Sequence, residues 1–333
     1  MGQPLVTIVS PCYNQERYIA ACAESALAQT YASWEQVFVD DGSTDETCRI
    51  LESFRDSRFR VVRRPHRGLN ALAEAYNVAL AESRGSLVAI LEGDDRWPPD
   101  KLAVQVPVFD DPSVILSWGH AALIDEAGEQ LSPRAFARSS RAPARVSTRA
   151  AFHRLTRTNF LVPSVTVMVR RTALEAIGGF RQSGSGLFVD LPTWLWLTAV
   201  HDGHVTFVNE ILGMYRVHRG QTSQQKRAQM SAEHSSVVRA VVTELDEGTL
   251  SRIGWDESSK RRAETRAYLS RGETFLMLGE YRAAYEEFRA GLGHASDSTD
   301  RLFALAGLAS AGTRVNLVKA AFAVRERARR WLG

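Results

Sequence analysis

Four short β-branched and apolar runs, at residues 5–10, 35–39, 59–62 and 86–91, alternate with stretches of helical period. After the first run, Ile19, Cys22, Ala23, Ala26 and Leu27 recur at helical spacing; Ile50, Leu51 and Phe54 do so after the second, and residues 69–81 before the fourth. Apolar strands alternating with helices predict an α/β fold with a mostly parallel sheet covered by helices on both faces. Ligands of such sheets sit beyond the carboxyl ends of the strands. The unusual polar clusters of this chain stand there: Pro11-Cys12-Tyr13-Asn14 after the first strand, Asp40-Asp41-Gly42-Ser43-Thr44-Asp45 after the second, and Glu92-Gly93-Asp94-Asp95 after the fourth.

Further along the pattern weakens. Pro133, Pro143 and scattered Arg and Ser predict exposed irregular structure over residues 107–149. Residues 164–170 read as a strand, followed by a helix, the Gly178-Gly179-Phe180 turn, an amphipathic stretch at 191–201 and a strand at 205–208. After about residue 225 strand signals vanish, which sets a domain of residues 1–225 before an all-α region of 226–333. Within that region residues 263–292 resemble one tetratricopeptide unit, where small residues let two antiparallel helices pack closely around aromatic side chains. Such a unit suits either a helical cap or a surface for a protein partner. The stretch 314–332 sets Val315, Leu317, Val318, Phe322, Val324 and Trp331 among Arg314, Lys319, Arg325, Arg327, Arg329 and Arg330. That mix fits a docked helix with a solvated basic face, or peripheral contact with the anionic inner membrane.

A net charge of +3 on 333 residues gives no reason to expect nucleic-acid binding. Cys12, Cys22 and Cys48 are an odd set without CxxC spacing, which supports neither a disulfide framework nor a zinc site and fits a reducing compartment. The Met1-Gly2-Gln3-Pro4 start shows no signal-peptide pattern, and no apolar run reaches the ~18–20 residues of a spanning helix. A cytoplasmic protein is expected, possible contact with the inner face of the membrane aside.

Each cluster has a chemical use beside a bland one. Tyr13 can stack on a nucleobase while Pro11 and Asn14 shape the turn, although Tyr-Asn pairs are common in ordinary loops. Asp41 can accept a pyrimidine N–H with Gly42 exposing backbone amides, or the segment can simply begin a helix, capped by Ser43 or Thr44. Glu92, Asp94 and Asp95 at a buried strand end repel one another unless a cation neutralises them, and hard oxygen donors suit Mg2+ or Mn2+. An acidic loop without a metal is the alternative. Asp190, at a predicted helix start, can serve as a general base, and His218 in Tyr215-Arg216-Val217-His218 can ligate a metal or bond a phosphate. Taken singly, these are an N-cap and an ordinary histidine.

The order of these motifs resembles the inverting family 2 glycosyltransferases of the GT-A fold. So do Gln29-Thr30-Tyr31, Trp97-Pro98-Pro99-Asp100-Lys101-Leu102 and the run from Arg170 to Phe180, and together they cover about residues 4–223. The resemblance implies a nucleotide site formed by Pro11, Tyr13, Asn14, Asp41, Gly42, Asn77, Glu92, Gly93 and Arg216. It implies Asp94, Asp95 and His218 as metal ligands for Mn2+ or Mg2+, and Asp190 as the catalytic base. Glu92 stands where relatives usually have Asp, and Val189 where they often have Glu. The implied activity moves a sugar from a nucleotide-sugar donor, UDP- or dTDP-linked by preference, to a hydroxyl of a saccharide or lipid-linked acceptor in surface polysaccharide or glycolipid synthesis. A nucleotidyltransferase would normally carry a Gly-rich loop after the first strand, and a dinucleotide oxidoreductase a GxGxxG there; neither is present. A degenerate transferase acting as a scaffold has no use for Asp94, Asp190 and His218 together.

Overall fold

The first run becomes β1, Val6–Cys12, with every residue buried. β-branched residues with apolar neighbours on both sides suit an inner strand of a covered sheet. The computed structural model describes residues 2–135, 144–183 and 186–314. β1 is followed by α1 (Ile19–Leu27), β2 (Trp34–Asp40), α2 (Thr47–Ser53), β3 (Phe59–Arg63), α3 (Leu72–Ala81) and β4 (Leu87–Ile90). β1 pairs in parallel with β2 and β4, and β2 with β3. The register sets Cys12 beside Asp40 and Val9 beside Ile90, so the polar loops after β1, β2 and β4 share one rim.

Then come α4 (Lys101–Gln105), β5 (Val114–Ile124), β6 (Gln130–Ala135), β7 (Arg145–Ser147), α5 (Thr148–Leu155), β8 (Met168–Arg170), α6 (Arg171–Ala176), α7 (Asp190–Val200) and β9 (His204–Arg216). The sheet order is β3-β2-β1-β4-β8-β5-β9-β7, with β6 paired to β5. β8 is antiparallel to both β4 and β5, whereas β5 and β9 run parallel. This insertion brings the end of β9 to the rim that already holds the acidic loop. Arg96 and Met214 bond there through their backbones, at 3.1 and 2.8 Å.

Two expectations are corrected. Residues 107–149 are not mainly irregular, because β5 is an 11-residue strand and all but one of its residues are buried. Its run VILSWGHAALI has neither alternation nor a helical period, and Pro- and Arg-rich flanks hide it. Residues 164–170 form less strand than expected: Ser164–Thr166 is a 3-10 turn, and only Met168–Arg170 joins the ladder.

Internal packing divides the chain into two compact units. The first runs through Gln224; the second takes Gln225 onward together with Thr156–Thr158. From Gln225 on, the regular elements of the second unit are all helices: the end of α8 (Thr222–Gln225), then α9 (Arg227–Glu244), α10 (Glu247–Ile253), α11 (Glu257–Met277), α12 (Tyr281–His294) and α13 (Ser298–Thr313). Asp246, Asp256 and Asp297 cap α10, α11 and α13 by accepting from Thr249, Ser259 and Asp300 N–H groups. Phe288 of α12 fills the groove between its neighbours. A Cβ at Gly272 would come within 3.0 Å of its ring and one at Gly307 within 2.3 Å. Apart from Arg314, the basic stretch 314–332 lies outside the described residues. Among the described residues, no helix is long and apolar enough to cross a membrane.

Candidate active site

The loops after β1 and β2 are laced together by side chain to backbone bonds. Asn14, in the left-handed region at φ 50°, donates its N–H to Ser43 Oγ (2.9 Å) and accepts from Thr44 N–H through Oδ1 (2.9 Å). Asparagine tolerates that conformation better than most side chains. Gln15 N–H donates to Thr47 Oγ1 and Glu16 N–H to Asp45 Oδ2. Asp45, not Ser43 or Thr44, supports the start of α2, accepting from Thr47 N–H at 3.0 Å. Pro11 lies in the buried strand, and its carbonyl accepts from Gly93 N–H at 3.3 Å.

Above this lacing, Tyr13 is 42% exposed and stacks on His66, with ring centroids 4.1 Å apart. Asp41 lies alongside. Its Oδ1 accepts from Arg64 Nε at 2.6 Å and its Oδ2 from Gly68 N–H at 3.1 Å. Gly42 sits at φ 74°, and a Cβ there would lie 2.6 Å from His66 N, so only glycine lets these two loops close. Tyr13, Asp41 and Gly42 thus form one group, joined by Arg64 and His66, which carried no local sequence signal.

The acidic loop is held from below. A Cβ at Gly93 would collide with Gln15 Oε1, Ile19 Cδ1 and Cys12 Cβ, at 2.0, 2.8 and 3.0 Å. Glu92 Oε1 accepts from the Tyr76 hydroxyl. Burial, then the nearby Asp94 charge, pushes Glu92 up to about 7. Asp95 is almost wholly buried; Oδ1 accepts from Arg216 N–H at 2.8 Å, and Oδ2 has no partner. Burial and the charges of Asp94 and Glu92 push its carboxyl well above the usual range. Asp94 turns to the rim, where Oδ2 lies 3.0 Å from His218 Nε2 and the Tyr18 ring lies 4.8 Å from the imidazole.

Arg216 occupies a place that the motif did not suggest. It is 2% exposed, its Nε donates to Asp94 O (2.7 Å), and its Nη1 donates to Asp125 O (2.8 Å) and Glu126 O (3.2 Å). It braces the backbone of the acidic loop. The Asn77 amide donates to Phe180 O (2.8 Å) and accepts from Phe180 N–H (2.7 Å), clasping α3 to the turn after α6.

Asp190 begins α7, and its Oδ2 accepts from Asn159 Nδ2 at 2.7 Å. Burial raises its carboxyl above the ordinary range, and its charge is felt at Glu92 and Tyr76. The rim therefore gathers a stacking ring with a carboxylate, a carboxylate–imidazole pair, and a buried carboxylate with raised basicity. Tyr18, Tyr76 and Asn159 complete it, each visible only once the fold sets it against its partner.

The arrangement fits a divalent cation with two protein donors. Asp94 and His218 converge from separate strand ends, and the mutual repulsion of Glu92, Asp94 and Asp95 is the kind that a cation relieves. Among the described residues there is no group of three or more His, Cys, Asp or Glu side chains that could hold a metal. The remaining donors would be phosphate and water oxygens, as is usual for Mg2+.

The family model for glycosyl transferase family 2 matches residues 7–178. TuaG of Bacillus subtilis, a glycosyltransferase assigned to teichuronic acid biosynthesis, is 31% identical over 227 residues, which cover 67% of this chain and 83% of TuaG. WfgD of Escherichia coli, a UDP-Glc:alpha-D-GlcNAc-diphosphoundecaprenol beta-1,3-glucosyltransferase, is 28% identical over 232 residues, 68% of this chain and 82% of WfgD. Among solved structures, S. aureus TarS 1–349 in complex with UDP-GlcNAc has a TM-score of 0.63 at 16% identity, covering 96% of this chain and 91% of that one. The mannosyltransferase PcManGT from Pyrobaculum calidifontis, in complex with GDP-Man and Mn2+, has a TM-score of 0.59 at 20% identity, covering 95% and 88%. The fold is that of these GT-A glycosyltransferases.

Proposed function

This chain belongs to glycosyl transferase family 2, and on that premise we propose that it is a metal-dependent, inverting transferase acting from a nucleoside diphosphate sugar. The observation that carries this is the convergence of Asp94 and His218 at 3.0 Å on the rim that also holds Tyr13, Asp41 and Asp190. Tyr13 and Asp41 suit a pyrimidine, one offering a stacking face and the other an acceptor for a ring N–H. UDP- or dTDP-sugars are therefore the favoured donors.

Asp94 and His218 would hold Mn2+ or Mg2+, which when bound neutralises the charge of the departing diphosphate. Asp190 takes the proton of the acceptor hydroxyl. The acceptor oxygen bonds to the anomeric carbon as the bond from that carbon to the diphosphate oxygen breaks. One displacement inverts the configuration. Asn159 orients the Asp190 carboxylate through its Nδ2 donor, and burial raises the basicity of that carboxylate above the ordinary.

The names of TuaG and WfgD support surface polysaccharide synthesis, and that of WfgD supports a diphosphate-lipid-linked saccharide as the acceptor class. Such an acceptor would bring the protein to the inner face of the membrane. The helical second unit is proposed as a site for a protein partner.

The test is calorimetric titration of UDP, dTDP, GDP and CDP with and without Mn2+ on the native protein and Asp94→Ala. Metal-dependent binding of one pyrimidine nucleotide, lost in the variant, is expected. Absence of binding by any nucleotide to the folded, metal-supplied protein overturns the proposal. NMR of the product's anomeric centre then checks inversion.

A further inference from the structure

The His66 imidazole already makes the two contacts that a pyrimidine base would seek at this rim. It stacks on Tyr13 with centroids 4.1 Å apart and planes 20° from parallel. Its Nδ1 lies 2.9 Å from Asp41 O and 3.0 Å from Asp41 Oδ2. Both of those atoms are acceptors, so Nδ1 carries a proton and donates, as a pyrimidine ring N–H would. Both rings are solvent-accessible, at 42% for Tyr13 and 47% for the His66 side chain, so neither is stacked there to fill a core.

A base cannot slip between the rings as they stand. Two stacked contacts need roughly 7–8 Å between the outer rings, against the 4.1 Å found. The His66 backbone cannot retreat either, since it lies so close to Gly42 that a Cβ there would be 2.6 Å from its nitrogen. The imidazole can leave by rotating its own side chain. Asp41 stays in place when it does, because Arg64 Nε and Gly68 N–H hold its two oxygens independently.

We propose that His66 is a built-in competitor for the nucleobase, holding the stacking face of Tyr13 and the acceptor of Asp41 until a pyrimidine nucleoside diphosphate displaces it. This rests on Tyr13 and Asp41 being the base site of the donor. His66 thereby lowers donor affinity by a displacement cost common to every base, while discrimination between bases rests on how well each replaces the contacts with Tyr13 and Asp41.

The experiment is UDP titration with Mn2+ on the native protein, His66→Ala and His66→Phe, with folding checked by circular dichroism. Removing a stacked, hydrogen-bonded competitor should tighten UDP binding about three- to tenfold in His66→Ala. His66→Phe, which keeps the stack and loses the donor, should gain less. In histidine-labelled native protein, the resonance missing from His66→Ala should lose its ring-current shielding as UDP is added. Equal or weaker binding by folded His66→Ala, with the native protein binding UDP, overturns the competitor and makes His66 a bystander or a second stacking wall. If the native protein binds no nucleotide at all, the donor site itself fails, and the competitor with it.

Discussion

His218 Nε2 and Asp94 Oδ2 meet at 3.0 Å although 124 residues separate them in the chain. The contact exists because β8 enters the sheet antiparallel between β4 and β5, which brings β9 and its continuation back to the rim where β4 ends. In the proposed function this carboxylate and imidazole supply the two protein donors of the cation site.

Asp94→Ala and His218→Ala should each weaken Mn2+-dependent nucleotide binding by about tenfold or more, with circular dichroism unchanged. The larger loss is expected for Asp94→Ala, which removes the charged donor. Chelation of the metal should reproduce both effects in the native protein. Calorimetry with and without EDTA reads all three, and full metal-dependent affinity in either variant would sink the pair as ligands.

The proposed role of Asp190 as base predicts an effect on turnover rather than on nucleotide affinity. Asp190→Asn should lower kcat by about 10²–10⁴-fold while leaving the nucleotide Kd unchanged. The base must be ionised to act, and burial raises its pKa, so the acid limb of kcat should lie above the ordinary carboxylate range. Asn159 donates to the ionised form and lowers that pKa; Asn159→Ala should therefore move the limb to higher pH. A limb that stays put in Asn159→Ala would detach Asn159 from the base.

The strand-end clusters were legible because each is local: a buried run followed at once by polar residues. β5 was not, since a run buried on both faces has no period to betray it. Arg216 and Asn77 show the other limit. Arg216 stands in a visible motif and Asn77 was named by the resemblance alone, but only the surrounding carbonyls of Asp94, Asp125, Glu126 and Phe180 show that one braces a loop and the other clasps a turn. Tyr18, His66, Tyr76 and Asn159 act through partners distant in the chain, beyond the reach of any local pattern.

The Asn77 clasp ties α3 to the turn after α6, and its loss should register as stability. Asn77→Ala strands the Phe180 N–H and carbonyl, at a cost of about 1–3 kcal/mol. Gly179→Ala should be at least as damaging, because Gly179 sits at φ 92° and a Cβ would lie 2.3 Å from Asn77 Oδ1. Phe180 packs on Tyr76, which holds Glu92, so activity should fall along with the melting temperature. Denaturant titration checks the first, and wild-type stability with lost nucleotide binding in Asn77→Ala would return that residue to the donor site.

Cys12, Cys22 and Cys48 are free and buried, and burial raises all three thiols, Cys48 to about 11. The thiolate is the reactive form, so native protein at neutral pH should resist alkylation. Mass spectrometry should count three added groups only after unfolding. Rapid labelling of the folded protein would mean that the loops over α1 and α2 open.

His234 of α9 should make the second unit acid-sensitive. Burial lowers its pKa from 6.5 to about 4. Between those values an unfolded chain binds a proton at this histidine that the folded one refuses, so stability must fall as pH drops. The loss begins near pH 6.5 and is complete below about 4. Above pH 6.5 the group is neutral in both states and contributes no slope. His234→Leu keeps an apolar side chain and removes the proton site, so its stability should decline less between pH 6.5 and 4 than that of the native protein. Helical ellipticity in urea at several pH values measures this, and identical pH profiles for the two proteins would acquit His234.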